Sequence, residues 1–440
     1  MQKLTKPILL SYASLAVPLA ALGLPLTVYL PPFYESSVGL SVGTVGIIFM
    51  VARFWDIFTD PVMGIVVDRF PSRWGKRKHW IVVGIPILML ASWYVFIPGD
   101  GQQSSLYLLS WLFVLYLSYT FVSLTQQAWG VDLTSKYNER STIYGWREMG
   151  SIFGMMAVLA FPAILEFLDY DFSSMIAGMG YFLIISLPLT ALVGLLIIPD
   201  DTTSKGTLFP KIKDFIPIIK GNGPLKRTLA AEIMCSTAAS IAGSTYIYLA
   251  RYVFDLGDVS SRFLFLYFFA GLLAMPIWMK IAHVIGKHKT LLISAIFCSA
   301  ILAIYFFIDT YNAFWKIGIL TILFGLGYGA PFTLTRALMA DIIDADELRS
   351  GEKRPGLFFA ILNTLSKVGS AIAVGTVYLY LESVGFSSAK EVSVEIRNSI
   401  LFAFSFFPMA LYFFGGLMCI GYELTPEKHK EIQDQLEARH

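Results

Sequence analysis

The sequence predicts an all-α membrane protein with twelve transmembrane helices in two bundles of six. Of its 440 residues, 56% are hydrophobic and 15% are charged, and the mean hydropathy is +0.65. Soluble globular proteins of this length are far less apolar. Twelve stretches reach the roughly 20 apolar residues that cross a hydrocarbon core. A polar segment at 200–224, rich in Lys, Thr, Gly and Pro, divides them six and six.

The twelve spans follow from reading the chain for apolar stretches of that length. The first span is long and contains several prolines. It lacks a small-residue cleavage pattern after a short apolar core, so we expect it to be retained and not removed as a signal peptide. The spans are predicted near Ile8–Tyr34, Ser41–Asp68, Trp80–Pro98, Ser104–Leu133, Ile143–Glu166, Ser174–Pro199, Leu225–Phe254, Arg262–His283, Thr290–Ile308, Ala313–Asp341, Leu357–Leu381 and Asn398–Tyr422.

The basic residues predict the orientation in the membrane. Most of the 33 lysines and arginines fall in the termini and in alternate loops, and short cytoplasmic loops carry such an excess. We therefore expect a multi-pass protein of the plasma (inner) membrane with both termini cytoplasmic. The predicted organisation is a first bundle at 1–199, a cytoplasmic linker at 200–224, a second bundle at 225–422 and a cytoplasmic tail at 423–440.

The two bundles carry weak internal repeats. Around the second and third spans the chain reads DPVMGIVVDRFPSRWGKRK, and around the eighth and ninth it reads MPIWMKIAHVIGKHK. The fourth and tenth spans end in WGVDLTSKYNERS and LMADIIDADELRS. Many secondary transporters are built from six-span repeats, with the substrate near the midplane between the halves. The first pair aligns Asp60-Pro61 with Met275-Pro276, so the proline is shared and the acid is an addition to the first half.

Enzyme and metal chemistry has no candidate constellation in the sequence. Cys235, Cys298 and Cys419 all lie in apolar spans, and the five histidines are scattered without ligand spacing. No nucleophile-elbow, zinc-protease, phosphate-loop or CxxC pattern occurs. We expect no enzymatic activity, no cofactor apart from a coupling ion, and no nucleic-acid partner.

The stretch RFWDIFTDP places three charged residues inside the second span. At about 100° per residue, Arg53, Asp56 and Asp60 fall within an arc of roughly 60° on one helix face. A charge at the bilayer centre costs about 2.5–3.5 kcal/mol, so this face must point into the bundle. Two carboxylates and one guanidinium leave a negative excess. That excess suits an oxygen-ligand site for Na⁺ or Li⁺, or a carboxylate that takes up and releases H⁺.

A structural ion pair is the alternative interpretation of this face. Arg53 would then neutralise Asp56, and Asp60 would cap a neighbouring helix. Lys367, some ten residues inside the eleventh span, is a candidate counter-charge that competes with the cation for the aspartates; the alternative for this lysine is snorkelling to the interface.

At these residues the sequence resembles the glycoside–pentoside–hexuronide cation symporters, the melibiose-permease-like branch of the major facilitator superfamily. The resemblance covers nearly the whole chain. RxWDxxxDP with the SRWGKxK loop is specific to that family, whereas GIVVDR is the looser loop motif of the superfamily. The other matching stretches are YNERS followed by Arg147, DADELRSGEKRPG, FFAILNTLSKVGSA and YELTPEKHKEI.

The resemblance implies a twelve-helix major facilitator fold and symport of a sugar with a cation, H⁺ or Na⁺. The implied cation site is Asp56, Thr59, Asp60 and Thr120, and Lys367 matches the family's lysine in the eleventh span. Thr59 stands where the melibiose permease has an asparagine, so the choice between Na⁺ and H⁺ stays open.

The implied sugar site departs from the family pattern. The two acidic residues that grip a glycoside would fall at Ala20 and Ser123, neither of which is acidic. With the acids absent and two basic residues, Arg147 and Lys367, present, we expect an anionic sugar-type substrate such as a uronide. The candidate substrate-binding residues are Gln126, Gln127, Trp129, Arg147 and Asn363, each of which could instead make a helix–helix hydrogen bond or form part of an interface belt.

Alternating access is the expected mechanism, with cation binding coupled to substrate affinity. Charged cytoplasmic residues are candidate gating latches, with simple positive-inside topology as the alternative. They are Asp68, Arg69, Arg73 and Asp341.

Two other functions stay open from the sequence. The many aromatic residues would also fit a carrier of a lysolipid-like substrate. A non-transporting sensor or scaffold would need a soluble output domain, and the tail is short and charged. We expect a small-molecule substrate, contact with membrane lipid and function as a monomer.

Overall fold

A computed structural model describes residues 5–69, 72, 75–99, 104–134, 137–200, 221–308, 313–351 and 354–437. Among these residues are 12 helices long and apolar enough to cross a membrane, one for each predicted span. The same residues contain an isolated bridge, Ser72 to Gly75, and no named strand. The predicted all-α, twelve-helix membrane fold is confirmed, and the chain is a multi-pass membrane protein.

The helices group into two compact units. The first comprises Met1–Phe209 with Tyr378–Glu391, and the second comprises Pro210–Val377 with Val392–His440. In chain order the helices are α1 (Lys6–Leu24), α2 (Leu30–Ser36), α3 (Val42–Arg69), α4 (Lys78–Phe96), α5 (Ser105–Asp132), α6 (Tyr137–Phe167), α7 (Phe172–Ile197), α8 (Gly223–Tyr248), α9 (Ser260–Ile285), α10 (Lys287–Phe306), α11 (Ala313–Ser350), α12 (Pro355–Ser383), α13 (Val394–Leu417) and α14 (Pro426–Glu437).

Each unit repeats the same helix pairings. In the first unit α3 packs on α5, α4 packs on α5 and α7, and α1 packs on α7. In the second unit the corresponding pairs are α9 with α11, α10 with α11 and α13, and α8 with α13. The internal repeat read from the sequence is therefore present in the packing of the helices.

The first span of each unit contains a five-residue π-helical segment, inside the span in the first unit and at its end in the second. Pro25–Tyr29 joins α1 to α2, and Leu249–Val253 follows α8. In the first segment the Leu30 N–H donates to the Pro25 carbonyl, five residues back. The following residues, Pro31 and Pro32, have no N–H to donate. Segments of this kind are frequent at functional sites, and this one carries Thr27.

Several helices run beyond the predicted spans. α6 begins at Tyr137, six residues before the predicted start, and α11 continues to Ser350, past the predicted end at Asp341. The added turns are polar. A hydropathy reading detects only the part of a helix that matches the hydrocarbon core, so it misses turns that project into water.

Small residues let α6 approach α1 closely. A Cβ atom added at Gly150 would lie 2.2 Å from the Ala13 carbonyl oxygen, and one at Gly154 would lie 2.0 Å from that of Val17. Glycines four residues apart allow two membrane helices to touch backbone to backbone. This contact fixes the distance between α1 and the polar side chains of α6.

Candidate functional site

The charged face of α3 turns toward α5. Thr120 of α5 places its hydroxyl oxygen 2.7 Å from Asp56 Oδ1 and 3.0 Å from Asp60 Oδ1. Asp56 is 1% exposed and Thr120 is 2% exposed, whereas Asp60 is half-buried. Two carboxylates from successive turns of one helix thus meet a single hydroxyl group from another helix.

The Thr120 hydroxyl group has one proton and lies within hydrogen-bond distance of two carboxylate oxygens. A threonine hydroxyl carries one proton, so Thr120 can donate to Asp56 or to Asp60 but not fully to both. The second short contact is satisfied if one carboxyl group is protonated and donates to Thr120. A bound cation that draws the oxygens together would satisfy it equally. The geometry of the cluster can accommodate one added proton or cation.

Thr59 lies on the same helix, and its hydroxyl group donates to the backbone carbonyl of Asp56 at 3.1 Å. The side chain is 7% exposed. Its proton is engaged along the helix, which leaves the oxygen lone pairs of Thr59 as acceptors. The four predicted cation-site residues thus comprise two carboxylates and two hydroxyl groups, an oxygen-only set of the kind that hard cations prefer.

Arg53 contacts both α5 and the π segment of the first span. Its Nη2 donates to Thr27 Oγ1 at 3.2 Å, and its guanidinium carbon lies 5.1 Å from the centre of the Tyr116 ring. A cation over an aromatic face at this distance is attracted by the ring. These contacts hold the guanidinium against the first span and α5. Thr27 and Tyr116 carried no signal in the sequence, because a lone polar or aromatic residue in an apolar span follows no pattern.

A second polar cluster joins α1, α5 and α6. Gln126 is fully buried; its Nε2 donates to the Tyr12 carbonyl at 3.2 Å, and its Oε1 accepts from Arg147 Nε at 3.4 Å. Tyr12 returns a hydrogen bond from its hydroxyl group to the Gln126 carbonyl at 3.0 Å. Gln127 donates to Ser123 at 3.1 Å. Three of the predicted substrate residues, Gln126, Gln127 and Arg147, are therefore neighbours.

The other predicted substrate and network residues are Trp129 in the first unit and two residues of the second unit. Trp129 is 1% exposed, and its indole N–H donates to the Pro199 carbonyl at 2.8 Å, so the ring packs in the interior between α5 and the end of α7. Asn363 is exposed and Lys367 is half-buried, and both lie on α12 in the second unit.

Corresponding ion pairs lie at the predicted cytoplasmic end of each unit. Arg77 Nε donates to Asp132 at 2.8 Å, and Lys287 Nζ lies 2.5 Å from Asp341. Asp132 and Asp341 occupy matching positions in the WGVD and LMAD stretches of the internal repeat. The partners in these pairs, Asp132 for Arg77 and Lys287 for Asp341, were not predicted from the sequence. Arg73 and the side chains of Asp68 and Arg69 lie outside the described residues.

A tail helix covers the pair in the second unit. His429 of α14 places Nε2 2.9 Å from Asp344 Oδ2 and 3.5 Å from Asp341 Oδ1. Ile432 of the same helix packs against the apolar core of the unit. The tail is thus a docked helix and not only a charged extension.

Comparison with known proteins adds family and fold. Residues 11–426 match the family model described as MFS/sugar transport protein. YagG of Escherichia coli (strain K12), named provisionally as a glycoside/cation symporter, is 26% identical over 92% of this chain and 89% of its own. The isoprimeverose transporter of Lactiplantibacillus pentosus is 24% identical over 94% and 87% of the two chains. The glucuronide carrier protein homolog of Escherichia coli (strain K12) is 22% identical over 93% and 91%.

Solved structures with the same fold include two transporters of low sequence identity. The nucleoside transporter NupG gives a TM-score of 0.69 at 11% identity, covering 95% of this chain and all of that one. The D-xylose-proton symporter gives 0.66 at 13% identity, covering 96% and 97%. The predicted major facilitator fold is confirmed by the family match together with these fold likenesses.

Proposed function

Since this chain belongs to the MFS/sugar transport protein family, we propose that it is a secondary transporter coupling symport of a sugar-type solute to H⁺ or Na⁺. A transporter and not an enzyme is what the family indicates. The names of the relatives support a glycoside or sugar as cargo and do not support the lysolipid-like alternative. Transport proceeds by alternating access of the binding site to the two sides of the membrane.

The shared hydroxyl group of Thr120 is the observation that carries the cation assignment. Asp56 and Asp60 supply two negative charges around one donor, and burial in an apolar helix bundle makes a net charge there costly. A proton or an alkali ion neutralises the pair. Asp56, Asp60, Thr59 and Thr120 are the proposed ligands, and Arg53 limits the remaining negative charge.

The driving force available to one such ion is substantial. A positive charge that crosses a potential of 100 mV releases about 2.3 kcal/mol. At about 1.36 kcal/mol for each factor of ten, this corresponds to roughly 50-fold solute accumulation per ion. This figure applies to a neutral solute. One cation that moves with one uronide anion carries no net charge, so the concentration gradient of the ion then provides the driving force.

Arg147 supports an anionic solute. Its guanidinium contacts Gln126 through Nε at 3.4 Å, and among the described side chains it forms no ion pair with a carboxylate. The positions Ala20 and Ser123 supply no acid that would repel a negative solute. Within the first unit, a uronide-type sugar is proposed to pair its carboxylate with Arg147 and to bond its hydroxyl groups to Gln126 and Gln127. Asn363 and Lys367 stay predictions from the sequence.

The remaining proposals concern topology and gating. Lysine and arginine placement supports cytoplasmic termini in the inner membrane. In that orientation the Arg77–Asp132 and Lys287–Asp341 pairs would be cytoplasmic, and we assign them to stabilising that end of each unit during the cycle.

Gradient-driven uptake tests the proposed function. Purified protein in liposomes is supplied with a radiolabelled uronide, glucuronate or a methyl glucuronide, under an imposed Na⁺ or pH gradient. We expect accumulation under one of the gradients, and a loss of at least tenfold in Asp60→Asn. Thr125→Val on α5, whose hydroxyl group donates to the Phe121 carbonyl of its own helix, is the matched control. Accumulation by Asp60→Asn equal to that of wild type would refute the cation assignment.

A further inference from the structure

A fully buried carboxyl group lies in the second unit, away from the proposed cation site. Glu232 of α8 is 0% exposed, and its Oε2 lies 2.5 Å from the hydroxyl oxygen of Thr335 on α11. Its sequence context is AAEIMCSTAAS, an acid in an otherwise apolar and small-residue stretch. An acid in such a position is costly and indicates a function by default.

The contacts of Thr335 accommodate a proton on the carboxyl group. The hydroxyl oxygen of Thr335 is also 3.1 Å from the Phe332 carbonyl, three residues back on the same helix. The single hydroxyl proton can be donated to Glu232 or to Phe332. When it is donated to Phe332, as is common for a threonine in a helix, the short contact to Glu232 is made by a proton of the carboxyl group.

The other carboxyl oxygen points to the same conclusion. Oε1 of Glu232 has no partner within hydrogen-bond distance among the described residues. A buried carboxylate with an unpaired oxygen would carry uncompensated charge, which costs far more than an unpaired oxygen on a neutral acid. The neutral form is the one that this environment accepts.

The charged and titratable groups near Glu232 influence whether its carboxyl group is neutral or ionised. Arg336 of α11 follows Thr335 directly; it is exposed and donates to the Phe332 carbonyl at 3.0 Å. Cys235, fully buried on α8 itself, is the neighbouring titratable group. Arg336 favours a charged carboxylate, so a small rearrangement of α11 toward Glu232 would stabilise the ion once the proton has left.

We propose that Glu232 is a proton-binding site of the second unit, occupied in this conformation and emptied during the transport cycle. On release the carboxyl O–H bond breaks, the proton passes to water, and the carboxylate is neutralised by Arg336. The occupancy of the site is independent of the proposed function, whereas its use as a second coupling site rests on that function. The protein would then hold a cation in the first unit and a proton in the second.

Infrared difference spectroscopy tests the occupancy without a substrate. Membranes containing the purified protein are measured between acid and alkaline pH, where the C=O stretch of a protonated carboxyl group is resolved from the amide bands. We expect a carboxyl band in wild type that is lost in Glu232→Gln. The same band should move to higher frequency in Thr335→Val, which removes the hydrogen-bond acceptor without changing the size of the side chain.

A control variant distinguishes the carboxyl band of Glu232 from the bands of other buried acids. Glu35→Gln alters another buried acid, whose Oε1 accepts from the Ser388 N–H at 2.8 Å in the first unit, and it should leave the Glu232 band in place. If Glu232→Gln does not fold, the band shift in Thr335→Val carries the test. An identical carboxyl spectrum in wild type and in both second-unit variants would overturn the proposal.

Transport separates this proposal from the proposed function. Under a pH gradient, Glu232→Gln should accumulate uronide at least tenfold less than wild type and than Glu35→Gln. Equal accumulation would overturn the coupling role of Glu232. If neither gradient drives uptake in wild type, the proposed function fails, and the infrared result alone then decides the protonation of Glu232.

Discussion

Thr120 and Asp56 join α5 to α3 through a buried hydrogen bond of 2.7 Å between the threonine hydroxyl and a carboxylate oxygen. The same hydroxyl group also lies within hydrogen-bond distance of Asp60. The contact thus ties together the two acids and the helix packing. It explains how a charged face inside a membrane span can be both structurally held and chemically responsive.

Removing the shared hydroxyl group should weaken cation binding. In Thr120→Val the shape is kept, but the two carboxylates lose their common donor and one cation ligand. We expect Na⁺ or Li⁺ affinity, measured by isothermal titration calorimetry at neutral pH, to fall at least tenfold. Thr125→Val on the same helix should leave the affinity unchanged, and a parallel loss in both variants would argue for a general packing effect.

Removing the nearby positive charge should strengthen cation binding. The Cβ atoms of residues three apart on a helix are about 5–6 Å from each other. Two positive charges at that separation repel by about 3 kcal/mol at an effective dielectric constant of about 20, which sets the scale for Arg53 and a cation at Asp56. Arg53→Gln should therefore raise the cation affinity at least tenfold, and Arg53→Lys should keep it near the wild-type value. A weaker affinity in Arg53→Gln would mean that Arg53 mainly orders the site through Thr27 and Tyr116.

The substrate assignment makes a charge-specific prediction. Arg147→Gln should reduce uptake of a uronide at least tenfold, because the carboxylate loses its guanidinium partner. Uptake of the neutral methyl ester of the same sugar should change little relative to its wild-type rate. Competition assays in proteoliposomes measure both, and equal losses for the acid and the ester would contradict an anionic substrate.

The close approach of α6 to α1 predicts a position-specific cost. Gly150→Ala places a Cβ atom 2.2 Å from the Ala13 carbonyl oxygen, so the helices must separate. We expect a loss of about 1–3 kcal/mol in unfolding free energy, typical of overpacking. Gly145→Ala on the same helix has no atom within 4 Å of its Cβ and should be neutral or stabilising. Denaturant unfolding in mild detergent distinguishes them; equal stability of both variants would refute the contact.

A buried ion pair of the first unit should contribute more to the free energy of unfolding than a more exposed pair of the second unit. Arg77 is 3% exposed beside Asp132, so Asp132→Asn leaves a buried guanidinium without this carboxylate and should cost about 3 kcal/mol. Arg354 is 30% exposed beside Asp346, and Asp346→Asn should cost less than about 1 kcal/mol. Thermal unfolding of both variants at two salt concentrations measures the contrast, and a larger loss in Asp346→Asn would contradict it.

Much of the architecture could be predicted from the sequence, because a hydrocarbon core imposes a fixed length on apolar helices. The orientation of Asp56 and Asp60 to one side of α3 followed from helical periodicity alone. Thr120 was reached only through the family resemblance, since nothing in an isolated fourth span distinguishes one hydroxyl from another.

Other features depend on helix packing that patterns in a single sequence do not predict. Gln126 and Arg147 were predicted as substrate residues, but their mutual contact required the distance between α5 and α6. Trp129 was predicted as a substrate-binding residue, and its burial against Pro199 could not be predicted from its position in the sequence. Glu232 was overlooked because one acid barely changes the hydropathy of a span, and its significance comes from Thr335, about a hundred residues away.

Ion-dependent stability tests the central claim most directly, because it needs no known substrate. Thermal unfolding of wild type and Asp60→Asn is measured in detergent across Na⁺, Li⁺ and pH. A ligand that binds only the folded state stabilises it by about 2.7 kcal/mol at 100 times its Kd. We predict an ion- or proton-dependent rise in Tm for wild type that is lost in Asp60→Asn. The same response in both proteins would contradict a cation site at Asp56 and Asp60.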